Sequence, residues 1–187
     1  MNKGGKDPRS VGIDVSAAAK AHRTGVGRYI VELVTALAQL DTTCRFDLLY
    51  RPSRWKQRRN FVPPPDRRFR TRPLLESFPF DRLGGPEVTH GTDGRLPRRR
   101  RARLVATVHD MFSADSESFA DAEVRAKKLA RYDDVARRAD LVIAVSEYCR
   151  SRIVAQTNID PTRIRVIPHG VDARFGLENP RQAAEVM

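Results

Sequence analysis

The 187-residue sequence is short of several things, and each shortage removes a class of explanation. No apolar run approaches the ~18 residues that a membrane-spanning helix needs; the longest stretches, such as Leu141 to Val145, have the length of a core strand. The first ten residues are polar, with Lys3, Lys6 and Arg9 and no apolar stretch from which a signal peptide could be built. Two cysteines occur, Cys44 and Cys149, far apart and in no metal or disulfide spacing, so a reduced, cytoplasmic protein is expected. The P-loop signature is missing. The six-residue dinucleotide fingerprint fails as well, because its third glycine would fall at Ile30; both absences count against a conventional dehydrogenase or NTPase.

What is present suits one globular domain. Hydrophobic residues make up 40% of the chain, enough for a real core. The formal charge of +12 is unevenly spread. Residues 51–103 hold fifteen arginines and Lys56 against Asp66, Glu76, Asp81, Glu87 and Asp93, a net +11, and the rest of the chain nets +1. The basicity therefore belongs to one segment.

Residues 1–10 read as a flexible tail. Val11–Val15 has the composition of a buried strand and is followed by a small, polar loop up to Gly25. Val26, Tyr29, Ile30, Leu33, Val34 and Leu37 recur at helical spacing and predict a helix from Gly25 to about Leu40. Phe46–Tyr50 is the next strand. Residues 51–86, rich in proline and arginine, predict irregular loops with one short strand. Strands are expected at Glu87–His90, Leu104–Val108, Leu141–Val145 and Ile164–Ile167, with a helix over 119–138. Another helix should run from an N-cap at Ser146 to about Gln156, with Glu147 in its first turn, where the dipole favours negative charge. This alternation implies an α/β fold, a mostly parallel sheet with helices on both faces.

In such a sheet, ligands bind beyond the carboxyl ends of the strands. Thr24-Gly25-Val26-Gly27 opens the first helix, where glycines allow close approach of an anion to free amides, and Arg23 and Arg28 flank the turn. A tight turn that needs small residues for packing explains the same glycines. His90-Gly91, His109-Asp110, Ser146-Glu147 and His169-Gly170 follow later strands, so three of the four histidines sit on one edge. His109-Asp110 is the best candidate for chemistry: imidazole can bond a sugar hydroxyl or phosphate, and a carboxylate can accept from an acceptor hydroxyl. The plainer reading is a histidine that orders its loop. The three histidines lack the short spacing of metal motifs, and no metal site is assigned.

Six segments carry a family resemblance: GIDVSAAA at 12–19, TGVGRYIVEL at 24–33, VTHGTDGRLP at 88–97, VATVHDMF at 105–112, RADLVIAVSEYCR at 138–150 and IRVIPHGVDARF at 164–175. In this order they resemble the N-terminal domain of family 4 glycosyltransferases, retaining enzymes of the GT-B type. The resemblance covers most of residues 11–175 and says little about 51–86. It implies two Rossmann-like domains facing across a cleft, with this chain supplying the N-terminal, acceptor-side domain over 11–175. It further implies that Gly25, Val26, Gly27 and Arg28 contact donor phosphate and that His109 and Asp110 lie at the reaction centre. His90, Ser146, Glu147, His169 and Gly170 would line the cleft, His169-Gly170 near the hinge. A nucleotide sugar is the implied co-substrate, a glycan or lipid-linked molecule the acceptor, and neither a cofactor nor a metal is required. The family's C-terminal Glu-x7-Glu motif is missing, since no two glutamates stand eight positions apart. Residues 176–187 therefore read as the start of an interdomain linker. The chain is therefore expected to be either truncated or one subunit of a split enzyme whose partner chain supplies the donor-binding domain, and the chain alone is expected to be inactive.

A second reading is a non-catalytic module that binds anionic surfaces, membrane or polyanion, through residues 51–103. Trp55, Phe61, Phe69, Phe78 and Phe80 interleave with the arginines there, which suits peripheral contact with the inner face of a membrane. Solvated arginine-rich loops explain the same charge. Nucleic acid ranks last, because no binding motif accompanies it.

Overall fold

A computed structural model of the chain describes residues 9–74, 85–98, 102–112 and 121–171. The expected tail at 1–8, Phe78, Phe80, Arg99–Arg101 and the linker at 176–187 lie outside them.

Seven strands form one sheet: β1 (Ser10–Asp14), β2 (Arg45–Tyr50), β3 (Phe69–Pro73), β4 (Val88–Gly91), β5 (Arg103–Val108), β6 (Leu141–Ala144) and β7 (Ile164–Val166). Their order is β3-β2-β1-β4-β5-β6-β7, and every pairing is parallel. The helices are α1 (Gly25–Ala38), α2 (Pro52–Trp55), α3 (Ala122–Arg138) and α4 (Glu147–Gln156), with 3₁₀ turns at Arg58–Asn60 and Pro161–Arg163. Among the described residues no helix is long and apolar enough to cross a membrane.

The chain winds outward from the centre in both directions, to β3 on one side and to β7 on the other. Right-handed crossovers then put α1 and α3 on opposite faces. The strand register agrees. Ile13 pairs with Leu48 and with His90, so these side chains share a face. There Ile30 and Val34 of α1 close one core with Ile13, Phe46, Leu48 and Tyr50. On the other face Ala106 pairs with Val142 and Val108 with Ala144, under Val135 and Ala136 of α3 and Cys149 and Ile153 of α4. Cooperation of the apolar stripe with a sheet face stabilises α1, whose N-cap residue Thr24 makes no side-chain capping bond. In α4 the stripe is weak, and Ser146 caps the helix as its sequence position predicts, accepting from the Cys149 N–H at 3.0 Å.

Residues 51–74 hold the short strand expected within 51–86, β3, together with α2 and a 3₁₀ turn. Strand β3 is hard to see in sequence because Phe69-Arg70-Thr71-Arg72-Pro73 has no apolar alternation; it is an edge strand with exposed arginines. Phe69 anchors it by stacking on Phe46, with ring centroids 5.0 Å apart. Several of the arginines are structural. Arg68 donates to the carbonyls of Ala38 (2.7 Å), Leu40 (2.8 Å) and Thr42 (3.1 Å), satisfying oxygens at the open end of α1, and pairs with Asp66 at 2.6 Å. Arg58 lies 4.6 Å over the Trp55 ring, Trp55 meets Tyr50 edge-on, and Phe61 is buried. The aromatic residues interleaved with arginine over 55–69 thus build the flank of the domain.

Candidate active site at the carboxyl edge of the sheet

Asp14, the last residue of β1, organises this edge from below. Its carboxylate is buried, accepting from the Ser16 N–H at 3.0 Å and from Arg51 Nε at 2.9 Å. Its carbonyl accepts from the Thr92 hydroxyl in the turn after β4. The Thr92 carbonyl in turn lies 2.7 Å from His109 Nε2, beyond β5. A carbonyl oxygen can only accept, so Nε2–H is the donor, and a neutral His109 ring presents Nδ1 as its free acceptor. Three strand ends are tied together, and the tie fixes the orientation of one imidazole. Gly94, at φ +72°, supplies the left-handed step that lets the turn from 92 to 95 close.

Tyr29 of α1 fills the space between two histidines. Its ring meets His109 edge-on at 5.0 Å and stacks on His169 at 4.8 Å; the two imidazoles are 5.3 Å apart. The Tyr29 hydroxyl bonds Thr107 Oγ1 at 3.3 Å, which also meets His90 Nε2 at 2.7 Å. Burial raises the Tyr29 pKa against the opposing effect of the Thr107 bond. Burial and the neighbouring His109 lower the His169 pKa, and the same two causes push His90 down to about 4.

His90 is corrected by the structure. Expected on the cleft wall, it is 9% exposed and lies beneath the site, because β4 is central and its side chain points into the α1 face. The glycine turn divides. A methyl group at Gly27 would stand 2.9 Å from the Ala17 carbonyl, so this glycine is required by packing, whereas one at Gly25 would meet nothing within 4 Å. Gly25 opens α1 on an exposed helix start where the first amides lack intrahelical acceptors. The flanking arginines are engaged elsewhere: Arg23 donates to the carbonyls of Ala18 and Asn60, and Arg28 pairs with Glu32 at 2.8 Å. The Ser146 hydroxyl is taken up by its cap, and Glu147 is exposed, 3.8 Å from Arg150. Gly170 is exposed beside His169.

A polar cavity of about 290 Å³ runs along this edge. Thr24 and Val26 at the start of α1, and His109 and Asp110 after β5, line one part of it. The turn at Asp93–Arg95 and Lys128, Arg131 and Tyr132 of α3 line the rest. The Asp110 carboxylate accepts from the Phe112 N–H at 3.2 Å, and its carbonyl accepts from the Tyr132 hydroxyl at 2.8 Å. Among the described residues no group of three or more His, Cys, Asp or Glu side chains is placed to hold a metal ion. Tyr29, Thr92 and Thr107 escaped the sequence reading. Tyr29 looked like one more member of an apolar stripe, and its hydroxyl was the only available sign of another role.

A central β1–β4 switch point, with order 3-2-1-4-5-6 extended by a seventh strand, is that of a Rossmann-like domain. The sequence narrows this: residues 23–175 match Glycosyltransferase Family 4, and the chain belongs to that family. Solved structures share the fold. Anabaena Alr3699/HepE in complex with UDP-glucose matches with a TM-score of 0.52 at 12% identity, over 96% of this chain and 49% of that one. The same protein in complex with UDP and glucose gives 0.51 at 13% identity, again over 96% and 49%. The chain thus spans about half the length of these structures. No curated protein sequence matches it.

Proposed function

We propose that this chain is the acceptor-side half of a nucleotide-sugar-dependent, retaining glycosyltransferase. It transfers a hexose to a glycan or lipid-linked acceptor once a C-terminal donor-binding domain completes the cleft. The observation that carries this reading is the fixed imidazole of His109 beside Asp110, at the mouth of a cavity that reaches the start of α1. His109 bonds the transferred sugar or a donor phosphate through Nδ1, and Asp110 accepts from the attacking acceptor hydroxyl. The free amides at Gly25, Val26 and Gly27 receive donor phosphate, with Gly25 the point of closest approach. Retention of configuration and completion by a C-terminal domain rest on the family resemblance. UDP-glucose is the first donor to test, since it is bound by the structural neighbour.

The anionic-surface alternative keeps the exposed Lys56, Arg59, Arg67 and Arg70, whereas Arg51, Arg58, Arg68, Trp55, Phe61 and Phe69 are engaged within the domain. The test is transfer of labelled glucose from UDP-glucose to glycan and lipid-linked acceptors, with and without the product of any adjacent reading frame that encodes a donor domain. Transfer is expected only from the completed enzyme, and His109→Ala should lower kcat by about 100-fold or more. Robust transfer by this chain alone would remove the need for a partner. An unaffected His109→Ala enzyme would remove the assignment of His109.

A further inference from the structure

Four cations face the cavity: Lys20 from the loop after β1, Arg95 from the turn after β4, and Lys128 and Arg131 from α3. Two carboxylates, Asp93 and Asp110, share the lining. Internal pairing does not account for the excess of positive charge. Among the described residues Lys20, Lys128 and Arg131 make no hydrogen bond or ion pair, and Arg95 reaches only Asp93, at 3.7 Å. Lys127, next in sequence to Lys128, is paired with Glu123. The buried Nε of Arg95 also lacks a hydrogen-bond partner, as does Oδ1 of Asp93.

Electrostatics in the cavity follows from this geometry. Burial and then the Arg95 guanidinium lower the Arg131 pKa, while burial and then Asp14 raise that of Asp93. Like charges held together in a half-buried space repel one another, and an incoming anion would relieve them. Helix α3 packs on the sheet face opposite α1, so Lys128 and Arg131 approach the cavity from the side away from the Gly25 turn. A guanidinium beside an ammonium suits an oxyanion, through paired N–H bonds and a point charge.

We propose that the cavity seats the acceptor through a negatively charged group, a phosphate or carboxylate held by Lys20, Arg95, Lys128 and Arg131. The inference rests on the glycosyltransferase reading and assigns that enzyme an anionic acceptor. A phosphate could also belong to the donor, and the experiment separates the two sources. Inorganic phosphate and glycerol 1-phosphate are titrated into the full chain at constant ionic strength, with glycerol as the neutral control and UDP as competitor. Amide and guanidinium NMR signals report the site.

Both phosphates should shift Lys20, Asp93–Arg95 and Arg131 saturably, glycerol should not, and UDP should leave them in place. Lys128→Gln combined with Arg131→Gln should weaken phosphate binding about tenfold or more. Lys20→Gln, on a different element, should weaken it in the same direction. Absence of saturable phosphate binding, unaltered affinity in these variants, or glycerol binding as tightly as its phosphate would each overturn the proposal. Displacement of phosphate by UDP would assign the cations to the donor diphosphate and overturn it too. None of these outcomes touches the transfer assay, because an enzyme with a neutral acceptor would still move the sugar; failure of that assay with phosphate binding intact would sink the transfer reading instead.

Discussion

The two flanks of the sheet use positive charge in opposite ways. On the β2–β3 flank arginines are absorbed: Arg51 lies on the buried Asp14, Arg68 on the carbonyls that end α1, and Arg58 on Trp55. At the carboxyl edge, Lys20, Lys128 and Arg131 make no hydrogen bond or ion pair among the described residues and line open space. Within the arginine-rich segment Arg51, Arg58 and Arg68 are taken up inside the domain, while Arg59, Arg67 and Arg70 stay exposed and Arg95 lines the cavity. Density of arginine therefore says little about where a ligand binds, and the position of each cation relative to carbonyls and carboxylates says much more.

The contrast can be broken first at Arg51. Its side chain is 13% exposed and that of Asp14 2%, so Arg51→Ala would strand a buried carboxylate and should cost about 3–5 kcal/mol in urea unfolding. A loss below about 1 kcal/mol would mean that the flank does not depend on its absorbed charge. Next comes His90, kept neutral by burial with a pKa of about 4. Between pH 4 and the unfolded value near 6.5, the unfolded chain takes up a proton that the folded chain refuses. Stability should be full above about pH 6.5 and fall by up to about 3 kcal/mol toward pH 4, and His90→Gln should flatten that slope in urea midpoints. The smallest effect is expected where the cations face the cavity. Lys128→Gln and Arg131→Gln should each change stability by no more than about 0.5 kcal/mol, and a larger loss would place them with the absorbed arginines.

Much of the fold was legible because buried parallel strands and one amphipathic helix leave plain patterns. Val11–Val15, Leu104–Val108 and Leu141–Val145 came within a residue or two of β1, β5 and β6. Strand β3 was expected only as a short strand of unspecified position within 51–86, since backbone pairing at an edge needs no apolar alternation. The strand-end rule brought His109 and His169 to one edge, and the structure puts their rings 5.3 Å apart. It misjudged His90, because the last residues of a central strand can still point into a core. Nothing in the sequence separates Gly25 from Gly27, as that depends on the Ala17 carbonyl folding back from earlier in the same loop. The cavity cations were invisible for the same reason: Lys20, Arg95, Lys128 and Arg131 are scattered along the chain and meet only once the crossovers are formed.

The bond from His109 to the Thr92 carbonyl has a consequence for how this scaffold can vary. The aiming group is main chain, and every residue that could occupy position 92 would carry it. The direction of the imidazole is thus inherited from loop closure, in which the Thr92 hydroxyl shares through the Asp14 carbonyl. A lineage could exchange the residues that line the cavity while this imidazole keeps its bearing.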